Sequence, residues 1–315
     1  MAEMTEAPSG GEPERKRRGA VASFFIRLVT EKPLGTVGGI IVLILLLTGI
    51  FANFLAPYGM NELHPVDFLS GPSTKYWLGT DNLGRDLLSR VIFGARISVI
   101  VGLVATTLSI IVSTVIGILC GFFGGKLDIV VQRFVDAWMC FPGIIILIVA
   151  VSLVGPGMWQ IILVLGLQFG IAGSRIVRSA VISIKENTYV EAARAIGCPA
   201  RTIMARHILP NIMAPIIILF TVRVPAIILA EAGLSFLGFG IPPPEPSWGG
   251  MLSGAGRSFM FLAPWMAIWP GLALSIVVYG VNMFGDAVRD LLDPRLRGGL
   301  GRYGVKKVTE ATIKK

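Results

Sequence analysis

Four stretches of this chain run without a single charged side chain: Leu34–Asn61, Ile97–Gly125, Ala137–Ser174 and Ser258–Gly285. Each is longer than the ~20 residues that carry an α-helix across a hydrocarbon core of ~30 Å. Inside lipid every backbone N–H and C=O must be satisfied by the chain itself, so such runs are helices or strands of a closed barrel. Barrel strands would alternate apolar and polar residues, whereas these runs are continuously apolar. The expected fold class is therefore all-α, a polytopic membrane protein with six transmembrane helices. Their expected positions are Leu34–Phe54, Ser98–Gly121, Phe134–Val154, Met158–Gly173, Ile212–Phe236 and Ala263–Gly285.

Charge supports this reading and limits others. Only 15% of residues are charged, against about 25% in a typical soluble domain. The net charge of +9 does not point to nucleic acid, because the basic residues sit at the flanks of the apolar runs. With both termini on the cytosolic side, only Lys75, Arg85, Arg90, Arg96 and Arg257 of the 28 Lys and Arg fall outside, and Arg223 falls within a span. That bias favours cytosolic termini and an even number of crossings. Residues 1–33 read as a cytosolic tail, whose Arg15-Lys16-Arg17-Arg18 run suits anionic lipid, followed by a short interfacial helix at Val21–Thr30. Residues 34–56 form the first crossing, 57–97 an extracytoplasmic segment, 98–290 the core of the remaining crossings and 291–315 a basic cytosolic tail. Leu34–Phe54 is too long for a signal-peptide core and lacks a cleavage site. Cys120, Cys140 and Cys198 have no metal-ligand spacing.

One charged, Ala-rich stretch interrupts the apolar chain: Tyr189–Asn211, YVEAARAIGCPARTIMARHILPN. Tyr189–Ile196 is helix-prone. Gly197 suits a left-handed C-cap, Pro199 suits the first position of a second helix, and Pro210 disfavours a helical Leu209. The expected shape is helix, elbow, helix, with small faces that admit a partner closely, as in helix-in-groove docking. Glu191-Ala192-Ala193, then Gly197, then Leu209-Pro210 resembles the EAA loop of binding-protein-dependent ABC importer permeases. His207 stands where an Ile recurs in that loop, and the form His-Ile-Leu-Pro-Asn resembles the dipeptide/oligopeptide/nickel branch.

Two further stretches carry the same resemblance. YWLGTDNLGRDLLSRVIFGARIS, Tyr76–Ser98, is similar to the N-terminal signature of that branch through Gly79, Thr80, Asp81, Gly84, Arg85 and Asp86. Read physically, Gly79-Thr80-Asp81 is a turn and cap signal. Leu83, Leu87, Leu88, Val91 and Ile92 make one helical stripe, expected as an amphipathic helix on the outer face. Asp81/Arg85 and Asp86/Arg90 are i,i+4 pairs. LAEAGLSFLGFGIPPPEPSWGGML, Leu229–Leu252, and DAVRDLLDPRLR, Asp286–Arg297, complete the likeness. Arg223, eight positions before Glu231, lies outside the branch's pattern. At membrane depth each must be paired or face a wet cavity; they either pair for structure or line the solute route.

The sequence contains no G-x-x-x-x-G-K-[ST] phosphate loop, and neither His64 nor His207 sits in a zinc-protease pattern. The resemblance implies that this chain is not an enzyme and holds no cofactor, with ATP and Mg on a partner ATPase. It implies a second related permease in a heterodimer, two cytosolic ABC ATPase subunits, an extracytoplasmic substrate-binding protein and a prokaryotic plasma (inner) membrane. Glu191 would make a charged contact with the ATPase, Gly197 would be the elbow, and Ala192 and Ala193 the close-packing face. Leading substrates are di- and oligopeptides, with nickel, opines and sugars as alternatives. The rival class is an ATP-independent channel or secondary transporter, which commonly shows internal repeats; none is evident.

Overall fold

The computed structural model describes residues 20–292. The N-terminal basic run, the final residues of the Asp286–Arg297 stretch and the C-terminal tail lie outside them. Among the described residues the chain is a helical bundle. Helix α1 (Ala20–Glu31) precedes α2 (Pro33–Ile50) and a single turn, α3 (Ala52–Leu55). An irregular segment leads to α4 (Leu87–Phe123). Then come α5 (Gly125–Cys140), α6 (Gly143–Val154), α7 (Met158–Lys185), α8 (Thr188–Ala195) and the one-turn α9 (Ala200–Thr202). A π-helical turn, Ile203–Ile208, and a 3₁₀ turn, Leu209–Ile212, connect to α10 (Met213–Phe236). Two short helices, α11 (Trp248–Leu252) and α12 (Gly254–Ser258), precede α13 (Trp265–Leu292).

Among the described residues five helical stretches are long and apolar enough to cross a membrane, and the α5–α6 pair makes a sixth if counted as one span. That pair corrects the third expected crossing. Phe134–Val154 is not one helix but is broken at Phe141-Pro142 and bent by 96°. Pro142 removes a donor and disfavours a helical Phe141 before it. The loop expected before it shrinks to Gly124, and α5 itself carries Lys126–Arg133.

Two other boundaries move. The stripe from Leu87 to Ile92 is not a separate helix on the outer face. It is the first two turns of the 37-residue α4, which runs through the 97/98 boundary, and Leu83 lies before it, exposed. No breaker separates the stripe from the apolar run, so helix propagation continues. The fourth crossing likewise extends past Gly173 to Lys185, placing Arg175 and Arg178 on α7 rather than in a loop.

The bundle is held by small residues. On α4, Ala105, Ser109, Ser113, Gly117 and Gly121 recur every four residues and are all buried. They face Gly166, Gly170, Gly173, Val177 and Val181 of α7. A Cβ added at Gly117 would sit 2.6 Å from Val177, and one at Gly170 would sit 2.7 Å from Val112. Such spacing lets two backbones approach where lipid supplies no hydrophobic drive between helices. Ser113 Oγ donates to the Gly170 carbonyl across this seam at 2.8 Å. A second close crossing joins α2 to α13, where a Cβ at Gly38 would meet the Gly280 carbonyl at 2.5 Å.

Following the spans gives the bundle two ends. The starts of α2 and α10 and the ends of α4, α7 and α13 share one end with α8; Lys32 and Asp290 pair there at 2.5 Å. The irregular segment before α4, the end of α10, and α11 and α12 form the other.

Candidate coupling loop and translocation path

At the first end, α8 divides its faces. Val190 and Ala193 are buried with Val177 and Val181 of α7, Phe122 of α4, and Ile203, Ile208 and Ile212 of the following turns. Glu191, Ala192, Arg194 and Ala195 face outward. Ala193 therefore packs into its own chain, which corrects its assignment to a partner-facing surface, while Ala192 is exposed. Ile196, at the C-cap, is 80% exposed. Sequence reading passed over it, although an apolar residue directly before a capping glycine is visible in the string.

The elbow forms as its glycine dictates. Gly197 has φ +80°, the Gly197 N–H donates to the Arg194 carbonyl at 2.9 Å, and the Cys198 N–H donates to the Ala193 carbonyl at 3.0 Å. This is the paired 5→2 and 6→1 closure of a Schellman cap. No atom lies within 4 Å of a Cβ built at Gly197, so the dihedral alone demands glycine there. Pro199 is the N-cap of α9 rather than its first residue. Leu209 keeps helical dihedrals, φ −53° and ψ −47°, contrary to expectation. The strain of Pro210 is absorbed instead by widening the preceding turn to π and tightening its own to 3₁₀. His207 is half-buried, its ring 6.4 Å from that of Tyr189, and Leu209 packs against the same inner cluster. Pro210 is exposed.

The other end treats its motif differently. Thr80, Asp81 and Asp86 are buried. Asp81 accepts from the backbone N–H of Leu83 (2.8 Å) and Arg85 (3.0 Å) and from Arg85 Nε (2.7 Å). Arg90 Nε stands 3.7 Å from the same carboxylate. The expected Asp86/Arg90 pair is not made. Asp86 is instead the N-cap of α4, accepting from the Ser89 N–H at 2.8 Å and the Ser89 hydroxyl at 2.6 Å. Thr80 Oγ1 donates to the Asp67 carbonyl and accepts from the Ser70 N–H at 2.8 Å, and Trp265 Nε1 donates to the Thr80 carbonyl at 3.1 Å. Gly84 has φ +73°, and a Cβ there would fall 2.0 Å from the His64 carbonyl oxygen. Gly79, at φ +83°, is similarly closed in by Trp265. On the rim, Lys75 Nζ donates to Asp67 at 2.6 Å and the Tyr76 hydroxyl donates to it at 2.9 Å. These two donors hold the Asp67 carboxyl below its usual range.

The structure does not pair Arg223 with Glu231. Eight residues of helix separate them by about 12 Å along the axis. Glu231 is 1% exposed and accepts from the Ser235 hydroxyl at 2.7 Å. The Ser235 hydroxyl accepts in turn from the Ile241 N–H, so this carboxylate anchors the Pro-rich loop to the end of α10. Nearby, Trp248 Nε1 donates to the Val91 carbonyl at 3.0 Å, and a cavity of about 500 Å³ lies between this loop and the Asp81–Arg90 region. Arg223 sits midway along α10, its guanidinium 5.2 Å from the centre of the Phe169 ring and its Nε buried with no hydrogen-bond partner among the described residues.

A multi-span helical bundle with an elbowed, outward-facing charged loop is the architecture of a membrane permease subunit. The chain belongs to the family described as "Binding-protein-dependent transport system inner membrane component", whose model matches residues 113–298. It is 38% identical over 296 residues to the dipeptide transport system permease protein DppC of Alkalihalophilus pseudofirmus, covering 93% of this chain and 97% of that one. It is also 38% identical over 274 residues to the glutathione transport system permease protein GsiD of Pectobacterium atrosepticum, covering 87% and 91%. Among solved structures, the MetNI methionine ABC transporter, in an inward-facing form, shares the fold with a TM-score of 0.53 at 19% identity, over 65% of this chain and 96% of that chain. The chain is thus a multi-pass membrane subunit of an ABC importer and not itself the ATP-hydrolysing enzyme.

Proposed function

We propose that this chain forms half of the solute route of an ATP-driven, binding-protein-dependent importer of di- or oligopeptides. It works with a second, related permease, two cytosolic ATPase subunits and an extracytoplasmic binding protein. Both termini and the Glu191–Pro210 loop face the cytosol of a prokaryotic cell, and the Asp81 end faces outward. The relatives named for dipeptide and glutathione transport support the peptide class, since glutathione is itself a small peptide.

One observation carries the coupling role. Helix α8 is anchored on one side by the buried Val190 and Ala193, while Glu191, Ala192, Arg194 and Ile196 remain open on the other. An apolar side chain flanked by charges of both signs, on a short helix rigidly tied to α7, suits docking into a cleft. The partner supplies the ATP and Mg chemistry. This chain's part is to receive a push: Glu191 gives a charged contact, Ala192 a close approach and Ile196 an apolar plug. The Schellman-capped elbow at Gly197 then passes the displacement through His207, Leu209 and Pro210 into α10. Since α8 also packs on α7, the two spans move with it, and the route alternates between its two openings.

The test is an Ile196→Asp variant expressed with its partner subunits. It is expected to keep its melting temperature while co-purification of the ATPase falls by about tenfold, roughly 1.4 kcal/mol. Unchanged recovery of the ATPase would remove α8 as the docking element.

A further inference from the structure

The α5–α6 break and Arg223 meet at one depth. Gln168 lies against the break, its amide nitrogen 3.3 Å from a Cβ built at Gly143. Gln168 is ten residues into α7, about 15 Å from that helix's start, near the middle of a ~30 Å core. Phe169 follows it, and the Arg223 guanidinium rests on that ring. The break is open on the surface of the chain: Phe141 is 63% exposed, and Pro142 and Gly143 are exposed beside it. Non-helical backbone at membrane depth persists only against protein or a water-filled cavity, and a mid-span arginine obeys the same rule. By contrast, the outward face of α2 at comparable depth, with Ile40, Leu43, Ile44 and Leu47 exposed, is apolar and suits lipid.

Among the described residues no carboxylate lies within 4 Å of Arg223. Asp136, the acidic residue of α5 nearest the break in sequence, is already held by Arg175. Arg223 Nε and Gln168 Oε1 are both buried without hydrogen-bond partners. Buried groups of this kind are costly unless something completes them. Seated over the Phe169 ring, the guanidinium has no acceptor among the described residues, and its fork of donors matches a carboxylate.

We propose that Arg223, seated on Phe169 at the depth of the α5–α6 break, is a carboxylate-recognition point on the solute route. It takes the free carboxylate of a peptide substrate as that substrate passes. The proposal rests on the importer reading above and deepens it. Phe169 is a positioning residue here, and Arg223 makes the contact.

The experiment uses the complete complex in proteoliposomes with labelled dialanine. Arg223→Gln is expected to lower uptake by about tenfold or more, the effect of losing one charge-assisted contact. The permease pair should stay intact and ATP hydrolysis should still rise with loaded binding protein. Arg223→Lys is expected to retain part of the uptake. A second arm replaces Cys120, Cys140 and Cys198 with serine and adds Arg223→Cys. An anionic, membrane-impermeant methanethiosulfonate is expected to label position 223, and excess dialanine to slow that labelling. Uptake by Arg223→Gln within about twofold of wild type, a change smaller than one such contact, overturns the proposal while leaving the importer standing. So does an unreactive position 223. Dissociation of the permease pair in Arg223→Gln also overturns it, since an acid of the second permease would then fill the fork. A wild-type complex that takes up neither dialanine nor any other peptide sinks both readings.

Discussion

The two ends of the bundle each carry a charged motif, and they use their charges in opposite ways. At the Asp81 end the charges are consumed: Asp81, Asp86 and Arg90 are buried, and their hydrogen bonds close on neighbouring backbone and side chains. At the α8 end Glu191 stays in the open, Arg194 is exposed with its guanidinium over the Phe122 ring, and Val190 and Ala193 are spent on packing. In sequence the two motifs look alike, each a polar interruption with Gly, Asp or Glu, and Arg. What separates them is whether the chain satisfies its own polar groups. A motif that satisfies them is scaffold; one that leaves them free has something still to bind.

The sharpest way to break this contrast is stability. Asp81→Ala removes the acceptor of two backbone donors and of the half-buried Arg85, and the ion-pair partner of the buried Arg90; breaking a buried pair in this way costs about 3–5 kcal/mol. A large fall in melting temperature of the detergent-solubilised protein is expected, whereas Glu191→Ala should stay within about 0.5 kcal/mol of wild type. Equal losses at both positions would erase the distinction. Function should invert the order. Glu191→Lys, on the open face, is expected to cut ATP-driven uptake by about tenfold, or 1.4 kcal/mol, with the melting temperature unchanged.

A smaller effect tests the elbow. Gly197→Ala meets no steric obstacle, so its cost is the left-handed dihedral alone, about 1–2 kcal/mol, measurable by thermal unfolding. Gly84→Ala, with the same dihedral problem plus the His64 carbonyl in its way, should lose distinctly more. The smallest effect is on the rim of the Asp81 end. Asp67 is held below the usual carboxylate range by Lys75 and Tyr76. A depressed carboxylate contributes fully above its unfolded value and loses that contribution as pH falls through the folded one. Amide exchange in residues 67–76 should therefore rise on acidification below about pH 4, and Lys75→Met should abolish most of that pH dependence.

Much of the architecture is legible in the string because lipid leaves so few options. Continuous apolar runs announce spans, and Gly197 announces the elbow. The α5–α6 bend is marked in the string by Pro142-Gly143, and the expected crossing runs straight through them because the surrounding apolar residues are long enough for one span. The merging of the 87–92 stripe into α4 was hidden by Arg90 and Arg96, which read as loop charges. Both turn inward or along the helix to reach acceptors, Arg96 to the Gly49 carbonyl at 2.9 Å. The inward direction of Ala193 has no sequence signal, since alanine suits either face. The four-residue rhythm of small residues on α4 was present to be read, and it explains which two helices pack most closely. Glu231 and Arg223, equivalent by spacing, part company only once the Ser235 hydroxyl is seen on one and the Phe169 ring on the other.

The claim on which the account stands is that an external ATPase drives this bundle through the open face of α8. Uptake of labelled dialanine into proteoliposomes, with the permease pair and binding protein present and the ATPase subunits either supplied with ATP or left out, measures it directly. The account predicts uptake only when ATPase and ATP are both present, and its loss on Ile196→Asp. Equal uptake by the permease pair alone would contradict it.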